Sequence, residues 1–185
     1  MSGFLRIDPI VHRAALAGRA LDTLAKVGLP GVAVRIVDGP PAWKTKFRGR
    51  EVATTNADGW YRFLDLPAGT YRVEAAAPSS RYATAPKTIA VTATAASALD
   101  LELAPTALTG VITANGKPLA MARIRLVDSG EVAYTGATGG YTLSPLEPGT
   151  NRTIELSAQR HVTATVQVTL PRGVTTTRSA ALAPV

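Results

Sequence analysis

His12 and His161 are the only histidines among the 185 residues, and there is no cysteine. Disulfides, thiolate metal sites and cysteine nucleophiles are thereby excluded. A Ser-His-Asp triad would have to recruit one of these two imidazoles. His161 borders a Thr-rich stretch, where a solvated or hydrogen-bonded surface residue is expected. Asn56-Ala57-Asp58-Gly59 offers hard oxygens of the kind calcium takes, but calcium needs six or more and the nearby residues are Lys and Arg. It reads instead as a tight turn capped by Asn and Asp, with Gly59 at positive φ. No catalytic residue, cofactor or metal ligand is expected, and the chain is read as a non-enzyme.

The other chemically loaded stretch is basic. Lys44, Lys46, Arg48 and Arg50 supply four of the seven net positive charges, with Trp43 and Phe47 beside them. In extended form the four cations share one face at a spacing of ~6.6 Å, with Phe47 on the other. Such a stripe suits an acidic partner surface, and Trp43 and Phe47 are the residue types that anchor interfaces. The alternative is that both aromatics fold the loop back on its own domain and leave the charges solvated. Nucleic acid is disfavoured, because exposed aromatic platforms and further basic clusters are missing.

The elements that must position these residues are written twice. Leu16-Ala17-Gly18 matches Leu108-Thr109-Gly110, and Val32 to Asp38 matches Ala122 to Asp128 at a shift of 90. Gly59-Trp60-Tyr61 then matches Gly139-Gly140-Tyr141 at a shift of 80, as Gly69-Thr70 matches Gly149-Thr150. Leu103-Ala104-Pro105 corresponds to Leu182-Ala183-Pro184. Asp38 to Tyr61 spans 23 positions and Asp128 to Tyr141 only 13, so the basic run lies in a first-repeat insertion, 39–53.

Within each repeat the apolar period is 2, the signature of strands with one buried face. Val32, Val34 and Ile36 alternate with Ala33 and Arg35, and Val162, Ala164, Val166, Val168 and Leu170 with Thr and Gln. Residues 11–27 have helical propensity, but their correspondence to the Leu108-x-Gly110 region argues for a strand. The expected organisation is an N-terminal arm, 1–14, a first sandwich, 15–105, and a second, 106–185, each of about seven strands. Phe4, Leu5, Ile7 and Ile10 make the arm apolar enough to cover an edge of its own sandwich or to add a strand to another subunit. No run of ~18 apolar residues suggests a transmembrane helix. The start is not read as a secretory signal, so cytoplasmic synthesis is expected.

These motifs resemble the carboxypeptidase regulatory-like domain, a transthyretin-like (prealbumin-type) β-sandwich. The residues that carry the resemblance are Leu16-x-Gly18, Leu29-Pro30-Gly31-Val32-Ala33-Val34, Thr55-Asn56-Ala57-Asp58-Gly59-Trp60-Tyr61-Arg62-Phe63 and Leu66-Pro67-Ala68-Gly69-Thr70-Tyr71. The second repeat keeps Pro118-Leu119 but has Met121 in place of the glycine and Asn151 in place of the second tyrosine. The resemblance implies an all-β chain of two tandem seven-stranded transthyretin-like sandwiches. Related adhesin domains carry Lys–Asn cross-links, but Leu16 to Ala20 and Leu108 to Ile112 contain no lysine, so none is expected. The function expected is that of a structural or interaction subunit in a larger assembly, of phage-tail or contractile-injection type by analogy. Its partners would be protein subunits with an acidic surface. The alternative is a carbohydrate- or cell-surface-binding adhesion module.

Overall fold

The computed structural model describes residues 13–49, 51–77 and 79–185. Its elements in chain order are Ala14–Asp22 (β1), Ala33–Asp38 (β2), the helix Pro41–Phe47 (α1), Glu51–Thr54 (β3), Trp60–Leu64 (β4) and Gly69–Ala76 (β5). Tyr82–Thr84 (β6), Lys87–Val91 (β7), Ser97–Ala98 (β8) and Leu101–Pro105 (β9) complete the first repeat. The second repeat has Ala107–Ala114 (β10), Lys117–Pro118 (β11), Arg123–Leu126 (β12), Val132–Tyr134 (β13) and Gly140–Leu143 (β14). Gly149–Ser157 (β15), Ala164–Leu170 (β16), Thr175–Thr177 (β17) and Ala180–Ala181 (β18) follow. Among the described residues the fold is all-β apart from α1, and residues 14–22 form a strand as the repeat requires. Against the expected seven strands per repeat, the described residues hold nine in each, several of them only two or three residues long.

Two compact units result, one of Met1–Leu21, Gly28–Ala76 and Pro86–Leu101, the other of Asp22–Val27, Ala77–Ala85 and Glu102–Val185. Three segments of the first repeat thus belong to the second unit. Within it, β6 pairs with β9, Tyr82 donates to Asp22 Oδ2 at 3.2 Å, and Arg81 reaches both Glu131 and Glu147.

In the first unit, β3-β2-β5-β7 is an antiparallel sheet, and β1 carries β4 antiparallel and β8 parallel. Alternation works as read: Val34 and Ile36 of β2, Tyr71, Val73 and Ala75 of β5, Leu16 and Ala20 of β1, and Tyr61 and Phe63 of β4 are buried. In the second unit, β13-β12-β15-β16 pairs in antiparallel register, Ile124 opposite Leu156 and Ile154 opposite Val166. Strand β10 gathers β11, β14, β17 and β18. Val162 departs from the expected stripe. It precedes β16 and is exposed.

The Leu-x-Gly motif has a steric cause. A Cβ on Gly18 would lie 1.8 Å from the Leu99 carbonyl oxygen, and one on Gly110 would lie 2.0 Å from that of Arg178. The same two carbonyls accept the Tyr61 and Tyr141 hydroxyls, each at 2.6 Å. Each repeat therefore uses its glycine to admit a backbone segment and its tyrosine to tether it.

Candidate partner-binding surface

The insertion does not run extended. Pro40-Pro41 sets the backbone for a helix start, with Pro41 in the first turn where its missing N–H costs nothing. Helix α1 follows, and Arg48 ends it in the left-handed conformation, φ 53°. A helical period places Lys44 and Lys46 ~200° apart around the axis, so the single cationic stripe is lost. Lys44 pairs with Asp38 at 2.9 Å, both side chains well exposed, while Lys46 donates to the Asp65 carbonyl at 2.8 Å and stands 5.1 Å from the Phe47 ring centre. The Lys44 hydrogen bond, followed by that from the Gly39 N–H, holds the Asp38 carboxyl below its usual range.

Trp43 also departs from expectation. It is 1% exposed and meets Tyr71 edge-on, so it anchors the insertion rather than a partner. The helical turn is what directs it inward while Lys44, Thr45 and Lys46 stay exposed. Its neighbourhood is tight: a Cβ on Gly39 would come within 2.8 Å of the Tyr71 ring and 2.9 Å of the indole. Phe47 is half-buried and Arg48 exposed. Arg50 and the arm residues Phe4, Leu5, Ile7 and Ile10, like His12, lie outside the described residues.

Beside α1 opens a cleft of about 340 Å³, with Lys46 and Arg13 on its walls and Asp65, Leu66 and Pro67 among its lining. Arg13 Nη1 donates to the Ala93 carbonyl at 2.6 Å, its backbone N–H donates to Asp65 Oδ1 at 3.0 Å, and the Asp65 N–H returns a bond to the Arg13 carbonyl. Arg13 and Lys46 thus bring two cations to the cleft, beside the Asp65 carboxylate in the same lining. Arg13 and Asp65 are 52 positions apart, and only the β1–β4 register, Ala14 opposite Leu64, brings them together. No local motif marks that pair.

The remaining candidates take structural roles. Asn56 Oδ1 accepts the Asp58 and Trp60 N–H groups at 3.0 and 2.9 Å, and Gly59 has φ 81°, the capped turn read from its sequence. His161 Nδ1 lies 2.8 Å from the Gln159 carbonyl. No cluster of three His, Asp or Glu positioned for a metal occurs among the described residues. No helix among them is long and apolar enough to cross a membrane.

The model of the carboxypeptidase regulatory-like domain matches residues 15–104 and 107–183. No curated protein matches the chain. Among solved structures it is similar to the Bacillus anthracis TIE protein, at 17% identity and a TM-score of 0.47, covering 93% of this chain and 34% of that one. A streptococcal ancillary pilin is 14% identical with a TM-score of 0.43, covering 91% and 61%. The shaft pilin SpaA from Lactobacillus rhamnosus GG is 14% identical with a TM-score of 0.42, covering 92% and 96%. The chain thus spans about a third of the length of the Bacillus anthracis protein.

Proposed function

Because the chain belongs to the carboxypeptidase regulatory-like domain family, which it matches twice, we propose that it is a non-enzymatic structural and interaction protein, a subunit or adaptor of a larger assembly. Its partner-facing surface is α1 with the adjoining cleft. The observation that carries this reading is the division of labour within the insertion: Trp43 is buried, while Lys44, Lys46 and Arg48 are exposed. A loop that served only to cover its own sandwich would need the first of these and not the second. The anchored helix loses little conformational freedom on binding, which favours recognition. The partner is a protein with an acidic patch, its carboxylates meeting Lys46, Arg13 and Arg48. A phage-tail-like particle in particular has no support among the described residues or the comparisons.

Among the described residues, the non-enzymatic reading is favoured by the commitment of their one histidine, His161, to its own loop. The His161 ring is engaged with a backbone carbonyl. Reversing two charges, Lys46→Glu with Arg48→Glu, tests the surface. Binding to the acidic partner is expected to fall at least tenfold and to lose most of its salt dependence. Unchanged affinity in that variant excludes α1 as the contact.

A further inference from the structure

We propose that each unit carries a groove for a neutral carbohydrate, with Trp60 as the aromatic platform in the first and Tyr134 in the second. Against the expectation that exposed aromatic platforms are missing, Trp60 is one: Trp43 is buried, whereas Trp60 is 51% exposed. Trp60 lines a groove of about 680 Å³ between β3 and β4, together with Val52, Thr54, Asn56 and Arg62. That volume lies within the ~300–1,000 Å³ of small-molecule sites.

The platform is preorganised. Arg19 lies over the indole with its guanidinium carbon 5.4 Å from the ring centre, and both Nε and Nη2 donate to the Asp58 carbonyl, at 3.2 and 3.0 Å. Arg19 is not part of the groove lining, so the ring is braced from outside it. Asn56 Oδ1 is spent on the Asp58 and Trp60 N–H groups, which fixes the amide and leaves its N–H donors for a ligand.

The second unit repeats the groove at equivalent positions. A cleft of about 470 Å³ is lined by Tyr134, Thr138, Thr142 and Val111, with Tyr134 57% exposed. At the shift of 80, Tyr134 answers to Thr54 and Gly140 to Trp60, so the aromatic has moved to the opposite wall while the groove has kept one. Two grooves that each keep an exposed ring after such divergence are hard to attribute to a stray surface aromatic.

The ligand class follows from what the two linings share. Each has a flat apolar ring beside uncharged hydrogen-bonding groups, the arrangement that suits a sugar's C–H face and its hydroxyls. The second groove has no charged side chain in its lining, and the one cation of the first, Arg62, is replaced there by Thr142, so charge is not what the two grooves share. An added peptide strand is disfavoured because the edges on offer are short, four residues in β3 and three in β13, too few for a strong ladder.

The test is to probe the whole chain on an array of immobilised neutral oligosaccharides of glucose, xylose and galactose, with an array of extended peptides in parallel. The best neutral oligosaccharide is then titrated in solution by calorimetry. The expected result is two sugars per chain, one in Trp60→Ala or Tyr134→Ala and none in the double variant, with melting temperatures within a few degrees of wild type. Trp43→Phe, which perturbs the core, leaves the count at two. Absence of binding to every neutral glycan, a sugar count unaffected by the double variant, or Trp60-dependent binding of peptides instead would each overturn the proposal. The outcome is independent of whether α1 meets an acidic protein.

Discussion

Trp43 and Tyr71 stand edge to face, their ring centres 6.1 Å apart and their planes at 84°, and this contact fastens the basic insertion to the first sandwich. Tyr71 is fixed in turn by its hydroxyl, which donates to the Pro67 carbonyl at 2.6 Å. Among the described residues the buried indole Nε1 has no hydrogen-bond partner, so this anchor holds by area and ring geometry against the cost of an unsatisfied donor.

Trp43→Ala is therefore expected to cost ~3–5 kcal/mol of unfolding free energy. Trp43→Phe should cost clearly less, because it deletes the orphan N–H along with part of the packing. Equilibrium denaturation of the two variants measures the difference. Equal losses would mean that Nε1 finds a partner in solution.

Gly39→Ala acts on the same contact from the opposite side. The added methyl would lie within 2.9 Å of both rings, an overpacking expected to cost ~1–3 kcal/mol. Tryptophan fluorescence should report the displaced indole.

Gly18→Ala and Gly110→Ala should be far harsher. The new Cβ would meet a carbonyl oxygen at 1.8 or 2.0 Å, and backbone has nowhere to yield. Loss of cooperative folding in the affected repeat is expected. Circular dichroism melts near wild type would show that the strand pairs can separate at that point.

The two turn threonines offer a matched pair. Thr55 Oγ1 accepts from the Val32 N–H at 2.9 Å and donates to the Leu29 carbonyl, while Thr135 does the same with the Ala122 N–H and the Leu119 carbonyl. Both are buried. Thr→Val at either position keeps the shape and strands two backbone groups, so each should cost ~1–3 kcal/mol.

The pH dependence is expected on the alkaline side. Burial raises the Tyr82 and Tyr141 hydroxyls to about 12, and Asp22 adds to the effect at Tyr82. The folded state disfavours the phenolate, so this stability is fully present below pH ~10 and is lost as pH rises from there toward the folded values. Denaturation midpoints followed across that window should fall, and Tyr141→Phe should flatten the slope.

Much of the fold was legible because it is written in repetition. The shifts of 90 and 80 pointed to the insertion but set its end too late, since Glu51 to Ala53 belong to β3, the counterpart of β13, while Val34, Ile36, Ile124 and Leu126 lie on the buried faces their alternation assigns. The insertion itself was misread, since Lys44-Thr45-Lys46-Phe47 alternates like a strand while Pro40-Pro41 and the inward pull on Trp43 make it a helix. The Arg13–Asp65 contact was invisible for another reason: register across β1 and β4 creates it, and no local spacing announces it. Trp60 hid inside a turn-and-strand motif whose neighbours, Gly59 and Tyr61, serve the fold.

The most direct measurement is partner binding against stability for Lys44, Lys46, Arg48 and Arg50 all changed to Ser. The protein and whatever co-purifies with it in fixed stoichiometry from its native host would be compared with this variant at matched salt. Loss of the partner by tenfold or more, with the melting temperature within a few degrees of wild type, is the expected result. A variant that melts much lower yet keeps its partner, or a wild-type protein that stays a free monomer at every concentration and salt, would contradict the proposed role.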